Sequence, residues 1–184
     1  MARLLPIDPD AAESAATDAL RKAAAAFGGA TLNLTRVMAR SPATLHGTLG
    51  FASALDHGVL EPGVRERIAL LVAEQNRCTY CLSAHAYVAQ RALGLPDAEI
   101  SAARQGTSTD PRIRTVLGLA SAINIGRGDV DEGVVEAART AGVTDTEIAE
   151  VIAHVAANTF PNYFAKTTRV DIDFPRVAPG GGAA

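Results

Sequence analysis

Apolar positions in this chain recur with the 3.6-residue period of helices, and no sustained alternation of β-branched residues marks a strand. From Val64, the residues Ile68, Leu71 and Val72 fall at helical spacing and carry one element to Asn76. Local punctuation bounds the others. Asp8-Pro9 reads as an N-cap with proline at the first helical position; the alanine-rich stretch after it runs to Phe27, where Gly28-Gly29 stops it. A second element covers Leu32 to Arg40. Ser41 caps a third, Ala43 to Asp56, which ends near Gly58, and Glu61-Pro62-Gly63 is the next break. A helix starts near Cys78 and ends at Gly94, and Asp97 opens a short one to Gln105. Beyond the polar GTSTD linker, Asp110-Pro111 opens a long helix to Ile125. GRGD is a turn, Asp131 to Ala141 is helical, and Thr144 caps a last long helix through Thr168.

The predicted fold class is therefore all-α. Residues 1–40 form an N-terminal helical segment and 41–175 the main helical domain. The low-complexity end, PRVAPGGGAA, predicts a disordered tail over 176–184. A faint echo links Gly94 to Ile100 (GLPDAEI) with Gly142 to Ile148 (GVTDTEI); helix-loop-helix punctuation recurs often enough that seven residues prove little. If a duplication lies behind it, the second copy contains no cysteine.

Composition narrows the function classes. The 184 residues are 48% hydrophobic and 20% charged, a globular balance with enough chain for a proper core. The net charge of −3 leaves no basic excess for nucleic acid or an anionic membrane, so neither is expected as a partner. No apolar run is long enough for a membrane helix, and the N-terminal stretch has no signal-type apolar region, so a soluble cytoplasmic protein is expected. With 4% aromatics and no Trp, packing must rely on Ala and Leu, and Phe160, Tyr163 and Phe164 on the last helix are candidate anchors for a homo-oligomer interface.

The two cysteines, Cys78 and Cys81, stand three positions apart. In a cytosolic chain that spacing suggests redox or metal chemistry, since one pair cannot build a disulfide framework. Structural zinc wants four ligands, whereas His46, His57 and His154 are scattered singly; no metal and no other cofactor is expected. If Cys78 begins a helix, Cys81 lies one turn on and His85 four residues further. At 100° per residue the three side chains then share a face about 60° wide. Such a pocket suits thiol chemistry: the helix N-terminus favours a thiolate, a second thiol traps an oxidised sulfur as a disulfide, and an imidazole moves the proton. An acid must come from elsewhere. Glu74 would share the face only if the helix ran unbroken through Asn76-Arg77, and Glu66 only if two helices form a hairpin; the spacing alone does not choose.

Arg65-Glu66, eleven residues, then Cys78-x-x-Cys81-x-x-x-His85 resembles the alkyl hydroperoxide reductase D-like branch of the carboxymuconolactone decarboxylase superfamily. The C-terminal NTFPNYFAKTTRVDIDFP is similar to the closing helix of its peroxidase-related members, and the likeness covers roughly Ser41 to Pro175. The resemblance implies a compact bundle of roughly 7–9 helices, assembled as a trimer or hexamer. It also implies a thiol-dependent peroxidase or disulfide oxidoreductase. The substrate is then a hydroperoxide, and an external dithiol or thiol protein is the reductant. It makes Cys81 the peroxidatic cysteine, Cys78 the resolving thiol and proton donor, and Glu66 with His85 the proton relay, favouring Glu66 over Glu74. Family members carry His just before the second cysteine, where this chain has Tyr80, a poor proton shuttle near neutral pH that can still donate a hydrogen bond. The lactone-decarboxylating members lack the cysteine pair. Two rival expectations remain: a decarboxylase or isomerase of a small carboxylate using His85 and Glu66 as acid and base, and a non-catalytic redox-sensing scaffold.

Overall fold

Capping and breaking residues divide the chain close to where local chemistry places the divisions. The computed structural model describes residues 2–9, 14–26 and 28–180, and among them are nine helices and no strand. They are α1 (Ser14–Ala26), α2 (Asn33–Met38), α3 (Pro42–Leu55), α4 (Pro62–Gln75), α5 (Thr79–Arg91), α6 (Asp97–Arg104), α7 (Pro111–Gly126), α8 (Glu132–Thr140) and α9 (Asp145–Thr168). Ser41 caps α3 by accepting from the Thr44 N–H at 3.3 Å, and Asp110 caps α7 through the N–H groups of Arg112 and Ile113. Thr144 and Glu147 form a reciprocal capping box at the start of α9. At the N-terminal end, Pro9 lies in a turn and α1 is helical from Ser14; the expected helix start over residues 10–13 and its end at Phe27 lie outside the described residues.

α4 is the central element. Its run Arg67–Ala73 is buried throughout, and the helix packs against α5, α6, α7 and α9. A helix that is apolar on all sides at its middle has this position because only full enclosure satisfies it. A smaller cluster joins Ala19, Leu20 and Ala23 of α1 to Met38, Ala39 and Leu45, and Phe164 touches both clusters. Of the candidate interface aromatics, Phe160 and Tyr163 are exposed, whereas Phe164 packs inward. No helix is long and apolar enough to cross a membrane.

One nearly buried ion pair ties α4 to α6. Arg67 Nη2 donates to Glu99 Oε2 at 3.1 Å, and the same carboxylate accepts from Ser108 Oγ (2.8 Å), Thr109 N (3.0 Å) and Thr109 Oγ1 (2.7 Å). The Thr109 and Ser108 donors, with Arg67, hold the Glu99 carboxyl down to about 2. A depressed carboxyl stabilises the fold above its unfolded value, near 4.3, and that contribution drains away as pH falls toward the folded value. Glu99→Gln should therefore flatten the acid-side dependence of unfolding free energy between about pH 4.5 and pH 2, measured by denaturant titration at each pH. An unchanged slope would contradict this account of the pair.

The tail's composition reads as disorder from residue 176, yet residues 171–180 form an extended strap along α5. Val177 N donates to Ser83 Oγ at 2.9 Å, Arg104 Nη2 donates to the Ala178 carbonyl at 3.0 Å, and Gly180 N donates to Glu74 at 2.5 Å. Phe174 packs against the rings of Tyr80 and Tyr87. These partners are remote in sequence, so local composition could not reveal them. Residues 181–184 lie outside the described residues.

Candidate redox site at the junction of α4 and α5

The turn between α4 and α5 builds the site. Asn76 caps α4, and Arg77 reverses the chain in the left-handed conformation, φ 53°. Cys78 N then donates to the Ala73 carbonyl at 2.9 Å. The resulting antiparallel hairpin brings the first half of α4 beside the second turn of α5, and His85 Nδ1 meets Glu66 Oε1 at 2.8 Å. Glu66 is thus the acid brought to the constellation. Glu74 is not: its carboxylate accepts from Arg104 Nε at 2.8 Å and from the strap.

Cys78 is the N-cap of α5. Its sulfur accepts from the Cys81 N–H at 3.3 Å, as a helix N-terminus offers to an anion. Both cysteines are free and buried. Donation from the Cys81 thiol, aided by the Cys81 N–H and the positive charges of His85 and Lys166, pulls the Cys78 thiol below its ordinary value against the opposing effect of burial. Cys81 moves the other way: its thiol donates to Cys78, it is buried, and it faces the Cys78 charge, so it is pushed far up. Of the two thiols, Cys78 is the one this geometry makes easier to ionise.

Burial would lower His85, but the Glu66 charge and hydrogen bond outweigh it and raise the imidazole above its usual value, with Cys78 and Asn158 adding to the rise. His85 is 26% exposed at its side chain, partly open to solvent. Tyr80, between the cysteines, turns its hydroxyl to the C-terminal segment. Its hydroxyl donates to Asp173 Oδ2 at 2.6 Å, and burial with that donation raises it far above its ordinary value. It anchors the strap.

Three residues on α9 complete the arrangement and carry no motif. Asn158 contributes to the rise of His85, Asn162 favours the Cys81 anion, and Lys166 Nζ donates to the Asn76 carbonyl at 2.6 Å. They recur every four residues, so they share one helix face. Asn162 is fully buried; its carbonyl accepts from Asn76 at 3.1 Å, while its amide nitrogen has no hydrogen-bond partner among the described residues. Asn76 in turn exchanges hydrogen bonds with Asn124, which donates to Gln75 at 2.9 Å. The only legible sign was polar residues at a spacing of four in a helix otherwise rich in Ala and Val. Among the described residues, no group of three or more His, Cys or carboxylate side chains converges as a metal ion needs.

Residues 42–120, from the start of α3 into α7 and including Glu66, Cys78, Cys81 and His85, match the carboxymuconolactone decarboxylase family. No curated protein matches the chain significantly. Among solved structures, an uncharacterized peroxidase-related protein from Ralstonia eutropha JMP134, described as an alkylhydroperoxidase AhpD core, superposes with a TM-score of 0.81 at 22% identity, covering 94% of this chain and 92% of its own. An uncharacterized peroxidase-related protein from Silicibacter sp. TM1040 gives 0.76 at 21% identity, with 91% of each chain covered. The debrominase Bmp8, solved as a cysteine-to-alanine variant with 2,3,4-tribromopyrrole, gives 0.76 at 17% identity, covering 92% of this chain and 91% of its own. The family match spans the hairpin that carries the cysteines, and the chain as a whole has the fold of the alkylhydroperoxidase AhpD core.

Proposed function

We propose that this chain is a thiol-dependent peroxidase in which Cys78 and Cys81 cycle between dithiol and disulfide. The family match supports an enzyme of peroxidase-related or carboxymuconolactone decarboxylase-like function. One observation carries the finer reading: a thiol favoured as its anion at a helix cap, hydrogen-bonded to a second thiol, beside a His85–Glu66 pair at 2.8 Å.

The steps balance with the groups present. The Cys78 thiolate attacks the outer peroxide oxygen, the O–O bond breaks, and the alkoxide leaves with the proton of the His85 imidazolium. Cys78 is then a sulfenic acid. With its negative charge gone, the two strongest electrostatic effects of Cys78 on Cys81 are gone too, and the Asn162 amide remains to favour the Cys81 anion. Cys81 passes its proton to His85 and attacks the Cys78 sulfur. Hydroxide departs, takes that proton as water, and a disulfide remains. An external dithiol reopens it by exchange, returning one proton to His85 and one to Cys81.

Mass spectrometry of the intact protein tests the cycle. One equivalent of hydroperoxide should remove two hydrogens, and a dithiol should restore them. A mass unchanged by peroxide, or a disulfide that no dithiol reopens, would remove the proposal. A second reading is favoured by the same His85–Glu66 contact: acid–base chemistry on a small carboxylate with the cysteines as spectators. Activity retained in the Cys78→Ala, Cys81→Ala double variant would select it.

A further inference from the structure

We infer that the cleft over Cys78 is a binding site for the carboxylate of an organic hydroperoxide. The inference rests on the thiol-peroxidase reading and adds to it a substrate charge. The cleft has a volume of about 420 Å³, within the usual range of small-molecule sites, and Cys78 lies in its wall while Cys81 does not. Four cations line it: Arg77, Lys166, Arg169 and Arg176. The rest of the lining includes Ala165, Val170 and Ile172, an apolar surface suited to an organic body rather than a bare inorganic anion.

Three facts make these cations more than surface charge. The chain as a whole is acidic, with 17 basic and 20 acidic residues, so a basic cleft is not a general excess. None of the four makes a salt bridge among the described residues, whereas Arg65, Arg67, Arg104, Arg112 and Arg139 all do. Asp171 and Asp173 flank Ile172, yet neither lines the cleft, and Asp173 already accepts from the Tyr80 hydroxyl and the Asn33 N–H. Arg77 and Arg169 hold left-handed backbone, φ 53° and 54°, so glycine at either position removes the charge without strain. Arginine forks aimed at a carboxylate would place the peroxide end of the same molecule toward Cys78.

The test uses a hydroperoxide bearing a carboxylate, its methyl ester, and the triple variant Arg77→Gly, Arg169→Gly, Arg176→Ala. Two of these changes put glycine where the backbone already favours it, so the fold should hold. Wild-type protein should prefer the acid over the ester in kcat/KM by about tenfold or more, through KM, and the preference should shrink with added salt. The triple variant should lose that preference. Equal kcat/KM for acid and ester in the wild type would overturn the inference while leaving the peroxidase reading intact. So would a triple variant slowed only in reopening of its disulfide by an anionic dithiol. If neither hydroperoxide is consumed, the peroxidase reading fails. Calorimetry with the product hydroxy acid then decides the cleft alone: binding that is lost in the triple variant supports it, and no binding to the wild type overturns it.

Discussion

Cys78→Ser should abolish peroxide turnover, a loss of about 10³-fold or more, whereas Cys81→Ser should still consume one equivalent and stop. The asymmetry follows from geometry. Cys78 caps α5, receives the Cys81 N–H, and lies in the wall of the cleft. Its serine variant leaves only Cys81, which does not line the cleft and whose thiol is held up by burial even when Cys78 is gone. In Cys81→Ser the first step survives, since the main-chain N–H, His85 and Lys166 still favour the Cys78 anion. The serine hydroxyl is itself a donor to Cys78, so the first step should keep much of its rate. The product is a sulfenic acid with no thiol to trap it, detectable as one added oxygen and by reaction with a carbon nucleophile. Stopped-flow consumption of one equivalent, followed by intact mass, reads both variants. The opposite pattern, a trapped sulfenic acid at Cys81 in Cys78→Ser, would return the attacking role to Cys81 and overturn the electrostatic assignment.

Those two roles show where sequence reasoning succeeds and where it stops. The three-member face of Cys78, Cys81 and His85 was legible because all three belong to one element and helical geometry alone brings them together. Helix bounds were legible for a similar reason: Ser41-Pro42, Asp110-Pro111 and Thr144 with Glu147 satisfy backbone donors within a few residues of themselves. The partner acid was not legible from spacing. Choosing Glu66 over Glu74 depends on a left-handed Arg77 that turns α5 back along α4, and arginine gives no local signal for that conformation. The likeness to a known family supplied the choice. The ease of ionising Cys78 depends on groups that include Lys166 on the remote α9. Asn158, Asn162 and Lys166 approach from that remote helix, and the strap is ordered by Ser83, Glu74 and Arg104. Contacts of this kind are tertiary, and composition carries no trace of them.

Glu66→Gln should lower kcat/KM by about 10²-fold or more and shift the alkaline limb of the pH profile to lower pH. The amide keeps the size and one hydrogen-bond partner for His85 but removes the charge. In the wild type that charge, with the hydrogen bond, raises His85 against the effect of burial. The imidazolium form donates the proton to the departing alkoxide and helps hold the Cys78 anion, so activity should fall as pH rises through the raised value. Without the Glu66 charge, burial dominates and His85 titrates lower, so the fall begins earlier and less imidazolium is present at neutral pH. The acid limb, set by the Cys78 thiol, should move upward, because a weaker imidazolium charge favours its anion less. The two limbs therefore close toward each other, a narrowing that mere loss of packing would not produce. Single-turnover rates across pH 5 to 9 measure it, with circular dichroism confirming the fold. A variant with wild-type rate and an unmoved alkaline limb would show that the 2.8 Å contact orients the ring without charging it, and the proton route through His85 would have to be abandoned.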